Sequence, residues 1–198
     1  MKISAIISKT LLIPIGISSV FLIAGCNFAT DQKTTVSPLK TERNWKQQFD
    51  EKLPLLGHRN WILIVDKAFP EQNAPGIEYI YANEDLLPVL KLVLGQVNQS
   101  THVKPIIYRD KELGFIKEEQ AKGVTQFIQD SKGLFGTQNV QTLLHDEVFK
   151  KLDTESKLFK VLVIKTNETI PYTSVFLQLD CGYWNADKEA QLRTNMGK

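Results

Sequence analysis

Two residues of acid–base type, His58 and Asp66, flank a short apolar segment of the sequence. The histidine lies in the turn-forming residues 56–60 (LGHRN), and the aspartate directly follows the apolar run 61–65 (WILIV). Turns before strands lie at sheet ends where small molecules reach them, and an imidazole with an ordinary pKa of about 6.5 both gives and accepts protons. Such residues suit general acid–base catalysis. The alternative interpretations are a solvent-facing histidine and an aspartate that only caps a turn or helix.

Further polar candidates lie in the second half of the chain. His145 directly precedes a predicted helix, and residues 168–174 (ETIPYTS) place Tyr172 and Ser174 in a polar loop before another apolar run. The three histidines are scattered and lack the spacing of metal ligands, so the sequence predicts no metal site. Cys181 follows an apolar run and is interpreted as a core residue.

Apolar patterns indicate the elements that must position these residues. Continuous apolar runs predict the following strands: 61–65, 103–108, 140–144, 161–164 and 175–179. Helical spacing predicts the following helices: 45–56, 86–97 with Asp85 as N-cap, 117–129, and one that begins within 146–152. Strands that alternate with helices are typical of a three-layer α/β/α domain with a central, partly parallel sheet.

The first 25 residues have the composition of a lipoprotein signal peptide. Lys2 and Lys9 form a basic start, and the uncharged, mostly apolar run 11–25 is shorter than the roughly 20 residues of a membrane-spanning helix. The run ends in residues 23–26 (IAGC), which resemble the bacterial lipobox and predict lipidation of Cys26. A signal anchor with an incidental cysteine is the alternative.

A polar, threonine-rich segment follows the predicted lipidation site. Residues 26–44 have no apolar periodicity, which indicates a flexible tether to a globular domain at 45–198. The sequence therefore predicts a bacterial cell-envelope protein that a lipid anchor holds to the membrane. The outer membrane is favoured, because Asn27 is not the aspartate associated with inner-membrane retention in some bacteria.

The charge balance argues against nucleic acid as a partner. The chain has 24 basic and 22 acidic residues, and removing Lys2 and Lys9 with the leader leaves 22 of each. A neutral domain without basic clusters lacks the positive surface that phosphate backbones require.

The motifs around the candidate residues resemble those of the D-ribose pyranase / L-fucose mutarotase family. Residues 56–70 resemble its N-terminal signature of Leu-Gly-His-x-Asn, an apolar strand and Asp-x-Ala-Phe-Pro. Residues 168–182 resemble its ending of Glu-x-x-x-Tyr-x-Asn, a strand and a glycine, and His145 stands where some members carry a histidine. The resemblance extends over about residues 53–184, with the elements in the same order.

The resemblance implies an isomerase, a mutarotase or pyranase, that interconverts anomers or ring forms of a free monosaccharide such as ribose or fucose without a cofactor. It makes His58 the acid/base and Asp66 the group that orients the imidazole or binds a sugar hydroxyl. His145, Tyr172 and Ser174 would bind the substrate. It also implies a homo-oligomeric ring, commonly a decamer, in which residues such as Tyr172 of a neighbouring subunit complete each site.

Two positions depart from the family pattern. Ser174 stands where the family usually has asparagine, and Asn60 where it often has aspartate. A serine offers one hydroxyl where an amide offers both a donor and an acceptor, and Asn60 removes a charge near His58. These differences keep two alternatives open beside the enzyme: a non-catalytic sugar-binding envelope lipoprotein on the same fold, and a structural ring protein with a vestigial pocket.

Overall fold

One mixed β-sheet runs through the middle of the domain. The computed structural model describes residues 44–197, so the predicted leader, Cys26 and the tether as far as residue 43 lie outside the described residues. Within that range the strands are β1 (Trp61–Val65), β2 (Ile77–Tyr81), β3 (Val103–Asp110), β4 (Val140–Leu143), β5 (Val161–Lys165) and β6 (Val175–Cys181). Their order across the sheet is β2-β5-β1-β6-β3-β4.

Strand β6 runs antiparallel to both of its neighbours, β1 and β3. The pairs β1–β5, β2–β5 and β3–β4 are parallel. The register places Val175, the first residue of β6, beside Ile64 near the end of β1 and Arg109 near the end of β3. The carboxyl ends of the parallel strands and the start of β6 therefore meet at one end of the sheet, the carboxyl end. The start of β1 and the end of β6 meet at the other, the amino end.

Helices cover both faces of the sheet. They are α1 (Trp45–Lys52), α2 (Leu86–Gln99), α3 (Val124–Phe135), α4 (His145–Glu155) and α5 (Ala186–Asn195), with short 3-10 helices at Leu53–Leu55 and Lys111–Phe115. Side chains of α1, α2 and α3 pack with Ile62 and Ile64 of β1 in one core. Side chains of α4 pack with Trp61, Leu63 and Val65 in a second core on the opposite face. Because successive strand residues face opposite sides, a strand that is covered twice is apolar throughout.

This architecture confirms the predicted three-layer α/β/α domain with a central, partly parallel sheet. Each of the five predicted strands ends within two residues of a strand of the structure, namely β1, β3, β4, β5 and β6. The predicted helices at 45–56 and 86–97 correspond to α1 with its 3-10 helix and to α2. Asp85 occupies the N-cap position of α2, although its side chain makes no capping hydrogen bond.

Three sequence-based expectations differ from the structure. The helix predicted at 117–129 begins only at Val124, because Gly123 before it has a left-handed φ of 88°. Strand β2 and helix α5 were not predicted: β2 is only partly buried and α5 has no buried residue, so neither carries a strong apolar pattern. Cys181 is half-buried rather than a core residue. No helix within residues 44–197 is long and apolar enough to cross a membrane.

Candidate functional site

A cavity of about 510 Å³ opens at the carboxyl end of the sheet. Its lining comes from the segment after β1, the start of α4 and the loop before β6, and includes Asp66, His145 and Tyr172. The antiparallel direction of β6 is the reason for this meeting, because it brings the loop before β6 to the ends of β1 and β3. Three of the predicted site residues therefore share one cavity in a single chain.

His145 is fixed in the cavity by a buried carboxylate. Its Nδ1 lies 3.0 Å from Oδ2 of Asp110, the last residue of β3, and the Asp110 side chain is fully buried. Burial raises the pKa of the Asp110 carboxyl to about 6, against the lowering effect of the hydrogen bond to His145. An ionised Asp110 accepts a hydrogen bond from the Nδ1–H of His145. Nε2 of His145 is then the nitrogen that can exchange protons with a bound molecule.

Asp66 is held at the end of β1 by two short contacts. Its Oδ1 accepts a hydrogen bond from the backbone N–H of Ala68 at 2.9 Å, and its Oδ2 accepts one from the Ser174 hydroxyl at 2.8 Å. Ser174 is only 1% exposed and also accepts the backbone N–H of Asp66 at 3.2 Å. The expectation that Ser174 contacts the substrate is therefore corrected: in the described chain it lies beneath Asp66 and positions that carboxylate.

Tyr172 stands at the cavity rim in a left-handed backbone conformation, with a φ of 59°. Its ring meets the His145 imidazole edge to face, with centroids 5.2 Å apart. The loop that carries it is tied down by Thr173, whose hydroxyl donates to the Ile170 carbonyl at 2.7 Å, and by Glu168, whose Oε1 accepts the Ile170 N–H at 2.9 Å. The loop that presents the phenol is therefore held by two hydrogen bonds of its own.

His58 lies at the amino end of the sheet, away from this cavity. It occupies the turn before β1, with 55% of its side chain exposed, and its Nδ1 is 3.1 Å from Oδ1 of Asp180 in β6. Asp66 follows the other end of β1, and the ends of a five-residue strand are about 13 Å apart. The expectation that Asp66 orients the His58 imidazole therefore fails within one chain, where Asp180 holds that ring instead.

Sequence reasoning missed three residues that shape these sites. Asp110 and Asp180 are strand aspartates whose partners are distant in sequence, and no local pattern marks them. Phe149 was missed because it has the pattern of an ordinary apolar residue of α4. In the structure, the centroid of its ring lies 4.8 Å from that of the His145 ring and 5.4 Å from that of the Phe69 ring. Its position one helical turn after His145 was the available signal, since residues four apart share a helix face.

The cavity can move protons on a small polyhydroxylated or carbonyl compound. It combines an imidazole, a carboxylate and a phenol with an apolar wall of Phe69 and Phe149. Within residues 44–197, no cluster of three histidine, cysteine, aspartate or glutamate side chains is arranged to hold a metal ion.

Comparison with known proteins identifies the family of this chain. A family model described as the RbsD / FucU transport protein family matches residues 46–181. Among solved structures, Bacillus subtilis RbsD complexed with D-ribose is 23% identical, with 66% of this chain and 89% of that chain covered and a TM-score of 0.46. Fucose mutarotase from Streptococcus pneumoniae, in complex with L-fucose, is 16% identical, with 71% and 96% covered and a TM-score of 0.47. FucU from Bifidobacterium longum is 15% identical, with 66% and 91% covered and a TM-score of 0.43.

No curated protein shows a significant match to this sequence. The family model nevertheless spans more than half of the chain and includes His58, the cavity residues and Asp180. The chain belongs to the RbsD / FucU family.

Proposed function

We propose that this protein is a monosaccharide mutarotase or pyranase that works by general acid–base catalysis. The observation that carries the proposal is the convergence of Asp66, His145 and Tyr172 on one cavity in a chain of the RbsD / FucU family. Relatives have been solved with D-ribose and with L-fucose, which supports a free monosaccharide as the substrate class. The cavity volume of about 510 Å³ is in the range of small-molecule sites.

Opening a sugar ring requires two proton-transfer groups. A base takes the proton of the anomeric hydroxyl while an acid protonates the ring oxygen, and closure reverses both transfers. His145 supplies one group in the cavity, with Asp110 fixing its tautomer at 3.0 Å. Asp66 accepts a hydrogen bond from a sugar hydroxyl, and Tyr172 binds a second hydroxyl or relays a proton.

His58 supplies the other group from an adjacent copy of the chain. Its ring is about half exposed and lies at the amino end of the sheet, so it is available to a neighbour and too distant for the cavity of its own chain. Asp180 accepts from its Nδ1 at 3.1 Å, which leaves Nε2 directed away from the chain's own carboxylate. The ring assembly that the family resemblance implies brings the two ends of adjacent copies together.

The test is the rate of anomer exchange, measured by saturation-transfer NMR on a panel of monosaccharides. The wild-type protein should accelerate exchange of at least one sugar, and His58→Ala and His145→Ala should each reduce the catalysed rate by roughly 10²–10⁴-fold. Lys150→Gln is the control, because Lys150 is an exposed residue of α4 that does not line the cavity and lies far along the chain from the His58 turn. If no sugar exchanges faster than in buffer, the catalytic proposal fails.

Sugar binding without turnover is the second candidate function. The observation that favours it is the position of Ser174, whose hydroxyl donates a hydrogen bond to Asp66 and does not line the cavity. Calorimetry would select this candidate if a sugar binds to wild-type protein and to His145→Ala with similar affinity while neither accelerates exchange.

We also propose that Cys26 carries a lipid that anchors the domain to the cell envelope, with the outer membrane favoured. The support is the sequence of the leader, which ends in residues 23–26 (IAGC). Metabolic labelling with a fatty acid should mark the wild-type protein and leave Cys26→Ser unlabelled, with Cys181→Ser as the control. The proposal would be contradicted if Cys26→Ser were labelled as strongly as the wild type. It would also be contradicted if the wild-type protein were absent from the membrane fraction.

A further inference from the structure

The exposed apolar side chains of the domain are concentrated at the two ends of the sheet. Within residues 44–197, those at the amino end lie in the segments that lead into β1 and β5 or leave β6, namely Leu55, Leu158, Tyr183 and Trp184. Those at the carboxyl end lie where β2, β3 and β4 end or β6 begins, namely Tyr81, Phe115, Leu144 and Tyr172. Clusters of exposed apolar residues mark surfaces that contact another molecule.

Helix α5 has no packing partner among the described residues of its own chain. None of its ten residues is buried, and Leu192 and, just after its end, Met196 are also exposed. A helix of this length is marginal on its own in water, because most helical stability in proteins comes from packing one face against another element. The exposure of α5 therefore indicates that it packs on a second molecule.

Gly182 fixes the point at which this C-terminal segment leaves the sheet. Its N–H donates to the His102 carbonyl at 3.0 Å, and an added Cβ would stand 2.8 Å from the Thr101 carbonyl oxygen. Tyr183 and Trp184 follow directly, a few residues after Asp180, the carboxylate that holds His58. The segment is therefore presented at the same end of the sheet as the His58 imidazole.

Trp184 has the properties of an interface anchor. Its indole N–H donates to Oε2 of Glu189 at 2.9 Å, and Oε1 of Glu189 accepts from Nε of Arg193 at 2.7 Å, so the ring is attached to α5 with its polar atom satisfied. The residue is nevertheless 41% exposed, and the neighbouring Tyr183 is 69% exposed. Tryptophan and tyrosine are the apolar residues that most often dominate the binding energy of protein interfaces.

A second copy of the chain is the partner that these observations favour. This choice rests on the proposed function, in which His58 at the amino end of one copy reaches the cavity at the carboxyl end of the next. The two ends are then in contact, and each supplies apolar side chains that the other covers. Two different surfaces that pair in this way form a heterologous interface, which is the kind that generates rings.

We propose that the C-terminal segment 183–196 docks on the carboxyl end of a neighbouring copy, with Trp184 as its anchor and Phe115 and Leu144 as the residues that receive it. Docking holds His58 beside the cavity of that neighbour, so the shared site is incomplete without the segment. The segment lies beyond residues 46–181, the part of the chain that the family model matches.

The first experiment is sedimentation velocity of the full chain over a range of protein concentrations, without sugar. Trp184→Ala and Phe115→Ala should each weaken self-association at least about tenfold. Both side chains are exposed in the single chain, so the circular dichroism spectra should stay unchanged. Gln129→Ala, at an exposed position in the middle of α3, is the matched control and should assemble like the wild type. A monomeric wild type, or normal assembly of both variants, would overturn the proposal.

The second experiment locates the contact by photo-crosslinking. Trp184→benzoylphenylalanine is introduced into an equal mixture of isotope-labelled and unlabelled chains, and mass spectrometry then distinguishes cross-links between chains from those within one chain. Cross-links between chains should fall in residues 111–116 or 144–149. Cross-links only within one chain, or only to the amino end of the other copy, would overturn the proposal.

Neither readout uses a sugar, so the two proposals can fail separately. A wild-type protein that assembles through the C-terminal segment but does not accelerate anomer exchange would remove the proposed function alone. An active wild type whose assembly is unaffected by Trp184→Ala and Phe115→Ala would remove the proposed docking alone.

Discussion

Tyr172 combines a functional position with an unfavourable backbone conformation. Its φ of 59° lies in the left-handed region, which costs a residue with a Cβ atom about 1–2 kcal/mol. Thr173 and Glu168 hold the loop in that shape, and the phenol reaches the rim beside His145. Strain of this kind is maintained where the surrounding contacts determine the conformation, and it is common at functional sites.

Substitutions of Tyr172 distinguish the effect of its backbone strain on stability from the effect of losing its phenol ring. Tyr172→Ala and Tyr172→Gly both remove the phenol, but only glycine adopts this φ freely, so the glycine variant should be more stable than the alanine variant by about 1 kcal/mol. Urea denaturation of both variants measures the difference. Tyr172→Phe leaves the cost of the left-handed backbone conformation unchanged and serves as the control for the loss of the hydroxyl. Equal stability of the alanine and glycine variants would show that the loop carries no such strain.

Asp110 should make the stability of the protein fall as the pH rises from about 4 to 6. Burial raises its pKa from 3.8 to about 6, so within this window the folded protein binds a proton at Asp110 that the unfolded chain has released. The contribution is unfavourable above pH 6, is of the order of 3 kcal/mol at most, and disappears below pH 4. Asp110→Asn removes the titrating group while keeping an acceptor for His145. Denaturation curves between pH 4 and 8 should therefore show a smaller decline with pH in this variant.

Glu78 provides a control of opposite sign. Its hydrogen bonds to Lys52 and Lys160 lower the pKa of its carboxyl below 4.5, so its stabilising contribution is present above that pH and is lost as the pH falls. Glu78→Gln should therefore lower stability at neutral pH and converge with the wild type in acid. A pH profile of Asp110→Asn that parallels the profile of Glu78→Gln would contradict the sign argued for Asp110.

At the scale of single residues, the sequence predicted three of the side chains that line the cavity, but it did not predict the residues that hold those side chains in place. His145, Tyr172 and Asp66 were identified from motifs, and the structure brings them together. Asp110 was not identified, because a strand aspartate acquires a role in a site only when the fold buries it beside a histidine 35 residues away.

At the scale of elements, close backbone packing fixes strand β2 beside β5. Gly76, the residue before β2, lies so close to the end of α4 that an added Cβ would stand 2.1 Å from the Ser156 carbonyl oxygen and 2.8 Å from that of Phe159. Its own carbonyl accepts the N–H of Val161 at 2.9 Å, the first residue of β5. A side chain at this position would therefore push β2 away from its neighbour.

Two glycine-to-alanine changes should have opposite effects on stability. Gly76→Ala should destabilise the protein by about 1–3 kcal/mol, because the contacting atoms are backbone and cannot move independently. Gly133→Ala, at an exposed position inside α3 where a Cβ meets nothing within 4 Å, should stabilise it by about 1 kcal/mol. Thermal unfolding of the two variants beside the wild type measures both. A neutral Gly76→Ala would mean that α4 and β2 are not in contact as described.

Elements with a strong apolar signal were predictable, and those defined by their surroundings were not. Strand β1 is buried on both faces and was predicted at its observed bounds, whereas β2 packs only partly and was missed. The start of α3 was predicted seven residues too early, because residues 117–123 continue the helical spacing. There Glu118 accepts the N–H groups of Gly123 and Thr125, and the left-handed Gly123 sets the helix start.

At the scale of the whole molecule, the residues assigned to catalysis divide between two ends of the sheet. His145 and Tyr172 lie at the carboxyl end, while His58 lies at the amino end with Asp180. The sequence contained a signal for this division, because His58 precedes and Asp66 follows the predicted strand at 61–65, so the two residues stand at opposite ends of β1 although they are only eight residues apart. Under the proposed function, each complete site therefore uses two copies of the chain.

Mixed assemblies of two inactive variants should regain activity. When His58→Ala and His145→Ala chains are co-expressed in equal amounts and assemble at random, about one quarter of the sites should combine an intact cavity with an intact imidazole from the neighbour. Sugar exchange should then recover to about that fraction of the wild-type rate. Anomer exchange measured on the purified mixed assembly provides the readout.

The control pairs two variants of the same end. His145→Ala co-expressed with Tyr172→Ala leaves every cavity defective, so the exchange rate should stay at the level of the single variants. Recovery in this control, or none in the first mixture despite mixed assemblies, would remove the argument that His58 acts on a neighbouring copy.

Asp110 connects two cavities, since it lines one of about 610 Å³ beside Arg109 and Lys132 while its Oδ2 accepts a hydrogen bond from His145, which lines the other. A charge introduced next to Arg109 would therefore change the electrostatic field at the carboxylate that orients His145. Thermodynamics makes any such coupling mutual: if a charged group bound there changed the affinity of the His145 cavity for its ligand, that ligand would change the affinity for the charged group by the same factor. One buried aspartate is thus the point at which the two cavities are electrostatically connected.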